Sequence, residues 1–368
     1  MRIGFDVSSS VKAERGGIAN YGWSLIAACA RVAPEHDYRL FVRPHHWFRR
    51  AMLQDLLPGT RPRLLIDAFA GRTLARLDVL HGIGVRLPPR GCPRVVTLHD
   101  LNVLEFPELS TPDWRVKRTA RIRQTLERAQ LVISYSEQGA TALREHTGFP
   151  RERIRVVPIG VDTAVLRRPA PDVLAEVLGR HGVRDRPYVL HVGAASPRKN
   201  QAGLLAAFAR ADLPREWVLL LGGPRAADAA TLRAQARALG LPDERVLLPG
   251  WIAEPDLPVL LAGAAIYCCP SLHEGFGIPV LEAQACGAPV LSSNRGALPE
   301  TVGECGVLFD PGDEAALPAA LARLAGDAAL RADLSRRGPL RVARQFTWEA
   351  VARATLAVHA EASRLRED

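Results

Sequence analysis

No charge-free apolar run in the 368 residues reaches the eighteen or so positions that a membrane-spanning helix needs. The chain opens on MRIGFDVSSS with no apolar leader, so a cytoplasmic protein is expected. Cysteine is sparse and scattered. Cys29, Cys92, Cys268, Cys269, Cys286 and Cys305 include no Cys-x-x-Cys pair and no Cys/His cluster at metal-ligand spacing, so reduced core residues are expected rather than a metal centre. The adjacent Cys268 and Cys269 should point to opposite faces of a strand. No internal repeat or low-complexity tract stands out, although residues 313–333 are rich in alanine.

Charge is present but uneven. Residues 1–168 hold 27 Lys/Arg against 16 Asp/Glu, a net +11, and the remainder holds 21 against 23, a net −2. An anionic partner for the first half, nucleic acid or acidic lipid headgroups, and a merely solvated basic face are both compatible with this asymmetry. With 48% hydrophobic residues and a length beyond that at which one core keeps growing, two domains are expected.

Short β-rich runs alternate with helical patterns in both halves. RIGFDVSS, YRLFV, RVVTLHD and LVISYS come first, followed by YVLHVG, WVLLLG, RVLLPG, AIYCCPS and APVLSS. Most are near-continuous apolar runs, as strands buried on both faces of a parallel sheet should be, so the fold class is α/β twice over. Prolines at 158, 169 and 171 break both periods and predict a hinge and linker over residues 158–186. Thr347 is a plausible cap for a final helix beginning FTWEAVARATL.

In SLHEGFGIPVLEAQACGAPV, residues 271–290, Glu274 precedes a Gly-Phe-Gly loop and Glu282 lies eight positions later. Pro279 suits a helix start, which puts Glu282 about one turn inside, next to free N–H groups that favour an anionic ligand. A carboxylate there suits the vicinal hydroxyls of a ribose. Gly275 and Gly277 allow the backbone to approach a sugar whose hydroxyls Glu274 would bind. A helix-start preference at Glu282 and a solvated Glu274 explain the spacing equally well.

Residues 274–282, Glu-Gly-Phe-Gly-Ile-Pro-Val-Leu-Glu, resemble the Glu-x7-Glu motif of retaining nucleotide-sugar glycosyltransferases of the GT-B fold, family 4-like and mannosyltransferase-like. The likeness is colinear. RGGIANYGWSL is similar to the family's first glycine loop, VVTLHDL to its histidine segment, and VISYSEQGATAL with IRVVPIGVD to the approach to its linker. HVGAASPRKN resembles its phosphate-binding stretch, and FTWEAVARATL its terminal helix. The resemblance implies two Rossmann-like domains facing across a cleft. Residues 1–168 would be the acceptor side, 169–346 the nucleotide-sugar side, and 347–368 a helix returning to the first domain.

The same resemblance implies catalytic roles for Glu274, His99, Arg198 and Lys199. It implies donor binding by Gly16, Gly17, Arg198, Lys199, Ile252, Glu274, Gly275, Phe276, Gly277 and Glu282. Arg198 and Lys199 would neutralise the donor diphosphate, Ile252 would meet the base through its backbone, and Trp251 would pack. His99 would line the sugar and acceptor site, with Asp100 orienting it. Many relatives carry an arginine after the glycine matching Gly193, where this chain has Ala194.

No Asp-x-Asp triplet occurs, so neither a metal nor another cofactor is expected beyond the nucleotide-sugar donor. The expected function is hexosyl transfer, with mannose from GDP-mannose favoured by the SPRKN and TLHDL segments, to a lipid-linked or growing glycan in bacterial polysaccharide biosynthesis. A UDP-sugar donor, or a non-catalytic basic protein binding nucleic acid or membrane, are the alternatives. The HHWFRR stretch at 45–50 and RVKRTARIRQTLER at 115–128 predict peripheral contact with the anionic inner membrane, and no nucleic-acid partner is expected.

Overall fold

A computed structural model of the chain describes residues 1–10, 17–53, 57, 63–66 and 69–365. It divides into two compact units, Met1–Gly160 with Trp348–Asp368, and Val161–Thr347.

The first unit is built on seven strands: β1 Arg2–Asp6, β2 Asp37–Val42, β3 Arg63–Leu64, β4 Val79–Gly82, β5 Arg94–Thr97, β6 Leu131–Ser134 and β7 Ile154–Val156. All pair in parallel in the order β3-β2-β1-β4-β5-β6-β7. Central positions such as Ile3, Phe5, Leu80, Val95 and Val96 are fully buried, which explains apolar runs without alternation. The order reverses between β1 and β4, and parallel sheets open a ligand crevice beyond the carboxyl ends at such a point.

The last helix, Trp348–Ala362, belongs to this unit and packs on helix Gly17–Val32. Its buried face is Val351, Ala352, Thr355, Val358, His359 and Ala362, a helical three-to-four spacing. His359 Nε2 lies 3.0 Å from His81 Nδ1, and His81 Nε2 lies 2.8 Å from Thr97 Oγ1. Buried imidazoles therefore tie the C-terminal helix to the middle of the sheet. At its ends Arg31 pairs with Glu349 at 2.7 Å and Arg155 with Glu361.

The second unit carries β8 Tyr188–Val192, β9 Val218–Gly222, β10 Val246–Gly250, β11 Ile266–Cys269, β12 Val290–Ser293 and β13 Gly306–Phe309. Their order is β10-β9-β8-β11-β12-β13, again all parallel, with the reversal between β8 and β11. Val189, Leu219, Ile266 and Cys268 face one core layer, and Tyr188, Leu220, Tyr267 and Cys269 the other. The adjacent cysteines thus point to opposite faces, as strand geometry requires.

Two corrections to the sequence reading follow. The hinge expected over 158–186 contains the helix Pro171–Arg180, whose Val177 and Leu178 enter the second unit's core. Pro171 starts that helix because its missing N–H would lack a partner there. The strands β3 and β7 escape the apolar-run reading because they are two and three residues long, too short to show a period, and β4 and β13 are two further strands that it does not contain.

Candidate functional site

At the β8/β11 reversal two loops meet. Beyond β8, Gly193 N donates to Gly222 O at 3.0 Å, and a Cβ on Gly223 (φ +102°) would lie 2.7 Å from Gly193 O. That contact requires glycine. The chain then turns through Pro197–Lys199 into helix Gln201–Arg210, with Ser196 Oγ accepting from Lys199 N at 3.3 Å. Beyond β11 comes the loop bearing Ser271, His273 and Glu274.

Arg198, Lys199 and Glu274, distant in sequence, converge there. Glu274 Oε2 lies 2.8 Å from Arg198 Nη1, and Oε1 lies 2.7 Å from Lys199 Nζ. Ser271 Oγ donates to the same Oε1 at 2.7 Å, Leu272 N donates to Arg198 O at 2.8 Å, and Arg198 donates to His273 O at 2.6 Å. The Glu274 side chain is 10% exposed, so it is not the solvated carboxylate that spacing alone allowed. Burial pushes its pKa up, but Lys199 and Arg198 outweigh that and hold it below the ordinary carboxylate value.

Gly275 is half-buried and Phe276 buried, and Phe276 O accepts from Thr301 Oγ1. Gly277 adopts φ +91° as the residue before helix Ile278–Ala285, and Pro279 lies in its first turn. Glu282 follows one turn in, half-buried, with no hydrogen bond or ion pair to its carboxylate among the described residues. Burial raises its pKa to about 7. This half-buried group is an acceptor awaiting donors, next to the free N–H groups of the helix start.

Ile252 follows β10 and is 6% exposed. It fills the space over Gly222, where a Cβ would lie 2.2 Å from Ile252 Cδ1. Trp251 does not pack as expected but is 81% exposed, because the turn after Gly250 (φ +75°) carries it off the sheet.

In the first unit Gly17 is the first residue of helix Gly17–Val32, and Gly16 lies outside the described residues. His99 stands just beyond β5. Its Nε2 donates to Ile83 O at 2.5 Å, and Tyr135 donates to its Nδ1 at 2.5 Å. Burial drives its pKa down to about 4, so the ring is neutral with both nitrogens engaged. Asp100 does not orient it: Asp100 Oδ1 instead accepts from Asn102 N at 3.3 Å.

Tyr135 and Ser271 were invisible to motif reasoning, since a tyrosine in LVISYS and a serine ending AIYCCPS read as strand residues. His191 was missed as well. It is 1% exposed, its Nδ1 donates to Cys268 O at 3.0 Å, and its Nε2 has no partner. A lone histidine inside an apolar run carries no sequence signal that separates it from the core.

Among the described residues, no group of three or more His, Cys, Asp or Glu side chains could hold a metal ion, and no helix is long and apolar enough to cross a membrane.

Residues 16–165 match the model of Glycosyltransferase Family 4, and residues 179–341 that of Glycosyl transferases group 1. The chain is a family 4 glycosyltransferase. It is 33% identical over 276 residues to the O-antigen chain mannosyltransferase B of Escherichia coli, covering 74% of this chain and 71% of that one. It is 33% identical over 313 residues to the MMP alpha-(1->4)-mannosyltransferase of Mycolicibacterium hassiacum, covering 80% and 72%. Among solved structures, Anabaena Alr3699/HepE in complex with UDP superposes with TM-score 0.76 at 21% identity, over 98% of this chain and 100% of that one. The glycosyltransferase thus has the GT-B fold and is a retaining enzyme, in a family that uses nucleotide-sugar donors.

Proposed function

We propose that this glycosyltransferase moves mannose from GDP-mannose onto a lipid-linked or growing glycan in bacterial polysaccharide biosynthesis, in the cytoplasm at the inner face of the membrane. The observation that carries the donor-site reading is the convergence of Arg198 and Lys199 on Glu274, with the partnerless Glu282 one turn into the next helix. Two cations and a helix amino end suit a diphosphate, and they supply its countercharge without a metal. Glu282 suits the ribose hydroxyls, and Glu274, released from its cations as the diphosphate takes them, suits the hydroxyls of the sugar. Gly17, Gly275, Phe276, Gly277 and Ile252 complete the donor contacts through backbone approach. His99, neutral and held by Ile83 and Tyr135, offers a fixed wall for the sugar and acceptor rather than a free base.

In the reaction the bond from the anomeric carbon to the phosphate oxygen breaks, and the nucleoside diphosphate leaves with the electron pair. The acceptor oxygen bonds to the same face, and its proton passes to the departing phosphate. Arg198 and Lys199 stabilise the charge that develops on that leaving group.

Mannose is supported by the two relatives named as mannosyltransferases. The basic stretches at 45–50 and 115–128 support membrane contact: Phe48 is 69% and Trp114 is 54% exposed beside arginines. Incubation with GDP-mannose, UDP-glucose, UDP-GlcNAc and deoxy-sugar nucleotides, with the consumed donor and product identified by mass spectrometry, tests the reading. Consumption of a UDP-sugar with GDP-mannose untouched would refute the donor assignment.

A further inference from the structure

Helix Pro112–Arg128 follows β5 in the chain and buries only Ile122, Thr125 and Leu126. Its first two turns stand clear of the core. Arg115, Lys117, Arg121 and Arg123 form no ion pair with any described residue, and the helix ends with six basic against two acidic side chains. A groove of about 450 Å³ runs between this helix and the segment holding Val103 and Pro107. Val103, Pro107, Val116 and Ala120 supply apolar lining, and Arg115 and Arg123 line it as well. Val116 is 66% exposed. The first lining residue, Val103, lies four residues after His99, beyond the turn in which Asn102 N donates to Asp100 Oδ1.

We propose that this groove seats the aliphatic chain of a phosphorylated lipid, with Arg115 and Arg123 gripping its phosphate. Charge complementarity selects the phosphate, since guanidinium groups pair with it through charge-assisted hydrogen bonds. The apolar lining selects the chain, because a free phosphate would gain nothing from Val103, Val116 and Ala120. The inference rests on the lipid-linked acceptor proposed above and names where that lipid would be held. It involves no covalent step.

The test is calorimetry of the full-length protein with octyl phosphate below its micelle concentration, beside inorganic phosphate and octanol. Octyl phosphate should bind at least about tenfold more tightly than either part, since both the charged and the apolar contacts contribute. The Arg115→Ala/Arg123→Ala pair should remove that advantage, and Ala120→Trp, which fills the groove from an exposed helix position, should remove it while leaving the circular dichroism spectrum unchanged. Equal affinity for octyl phosphate and inorganic phosphate in the wild type, or undiminished octyl phosphate binding in Ala120→Trp, would overturn the proposal. GDP and UDP titrated into the same wild-type protein separate the two readings. Failure to bind either nucleotide counts against the proposed donor site alone, and nucleotide binding without groove-dependent octyl phosphate binding counts against the groove alone.

Discussion

Replacing Glu282 by glutamine should strengthen the fold and weaken the function together. The carboxyl is half-buried with no described partner, and its pKa rises from 4.5 to about 7. A folded-state value above the unfolded one means the folded protein binds more protons between those limits. The stability contribution is fully present below pH 4.5 and is lost as pH rises through about 7. Linkage over that interval makes ionisation unfavourable by about 3 kcal/mol at pH 7, and solvent screening of a partly exposed group reduces the estimate to about 1–2 kcal/mol. Glu282→Gln removes the charge at nearly constant shape, so the melting temperature of the nucleotide-free protein at pH 7.5 should rise by roughly 2–8 °C, and the decline between pH 5 and 7 should flatten. Nucleotide affinity should move the opposite way, falling by about 1–3 kcal/mol as charge-assisted hydrogen bonds to the ribose are lost. Wild-type affinity for GDP should also weaken below pH 7, where the carboxyl protonates, and the variant should show no such dependence. Thermal denaturation with and without GDP, and calorimetry across pH 5.5–8, measure both sides. A variant less stable than wild type without nucleotide, or one that binds GDP as tightly, would refute the reasoning.

Lys199→Ala removes one of the two cations on Glu274 and should lower kcat/KM by about 100-fold, with monophosphate affinity little changed; equal losses for GMP and GDP in calorimetry would count against a diphosphate role. In the first unit, burial depresses the pKa of His359 from 6.5 to about 3 and that of His81 well below its ordinary value, so the unfolded state takes up protons first as pH falls below 6.5. Stability should then drop by up to about 1.4 kcal/mol per pH unit for each such ring, the buried His99 and His191 included, and His359→Met should lower the slope by the share of one ring in urea titrations from pH 7.5 to 5. An unchanged slope would place the acid sensitivity elsewhere. If Arg198, Lys199 and a helix amino end supply the countercharge as proposed, turnover should survive excess EDTA, and abolition restored by Mg²⁺ or Mn²⁺ would show a metal requirement.

Long buried strands and the loops at their carboxyl ends were legible in the linear chain. Runs such as YVLHVG, WVLLLG and APVLSS are apolar on both faces, and that composition is stable only inside a parallel sheet covered on both sides. The Gly-Phe-Gly turn, Pro279 and Glu282 were legible for the same local reason: φ +91° at Gly277 and a proline in the first helical turn are constraints that neighbouring residues impose on one another. What sequence could not decide was pairing over distance. Whether Glu274 is solvated or buried depends on Arg198 and Lys199, 76 and 75 positions away, which reach it only because β8 and β11 are neighbours at the reversal of strand order. His99 looked like a partner for Asp100 because the two are adjacent, yet chain geometry at the strand end sends Asp100 to Asn102 and leaves the ring to Ile83 and Tyr135. Trp251 is exposed through the turn at Gly250, and His359 is buried because a helix 278 positions away in sequence closes over His81. Periodicity and turn chemistry act over a few residues and are written along the chain, whereas burial, ion pairing and the pKa values they set belong to groups that meet only when the sheets form.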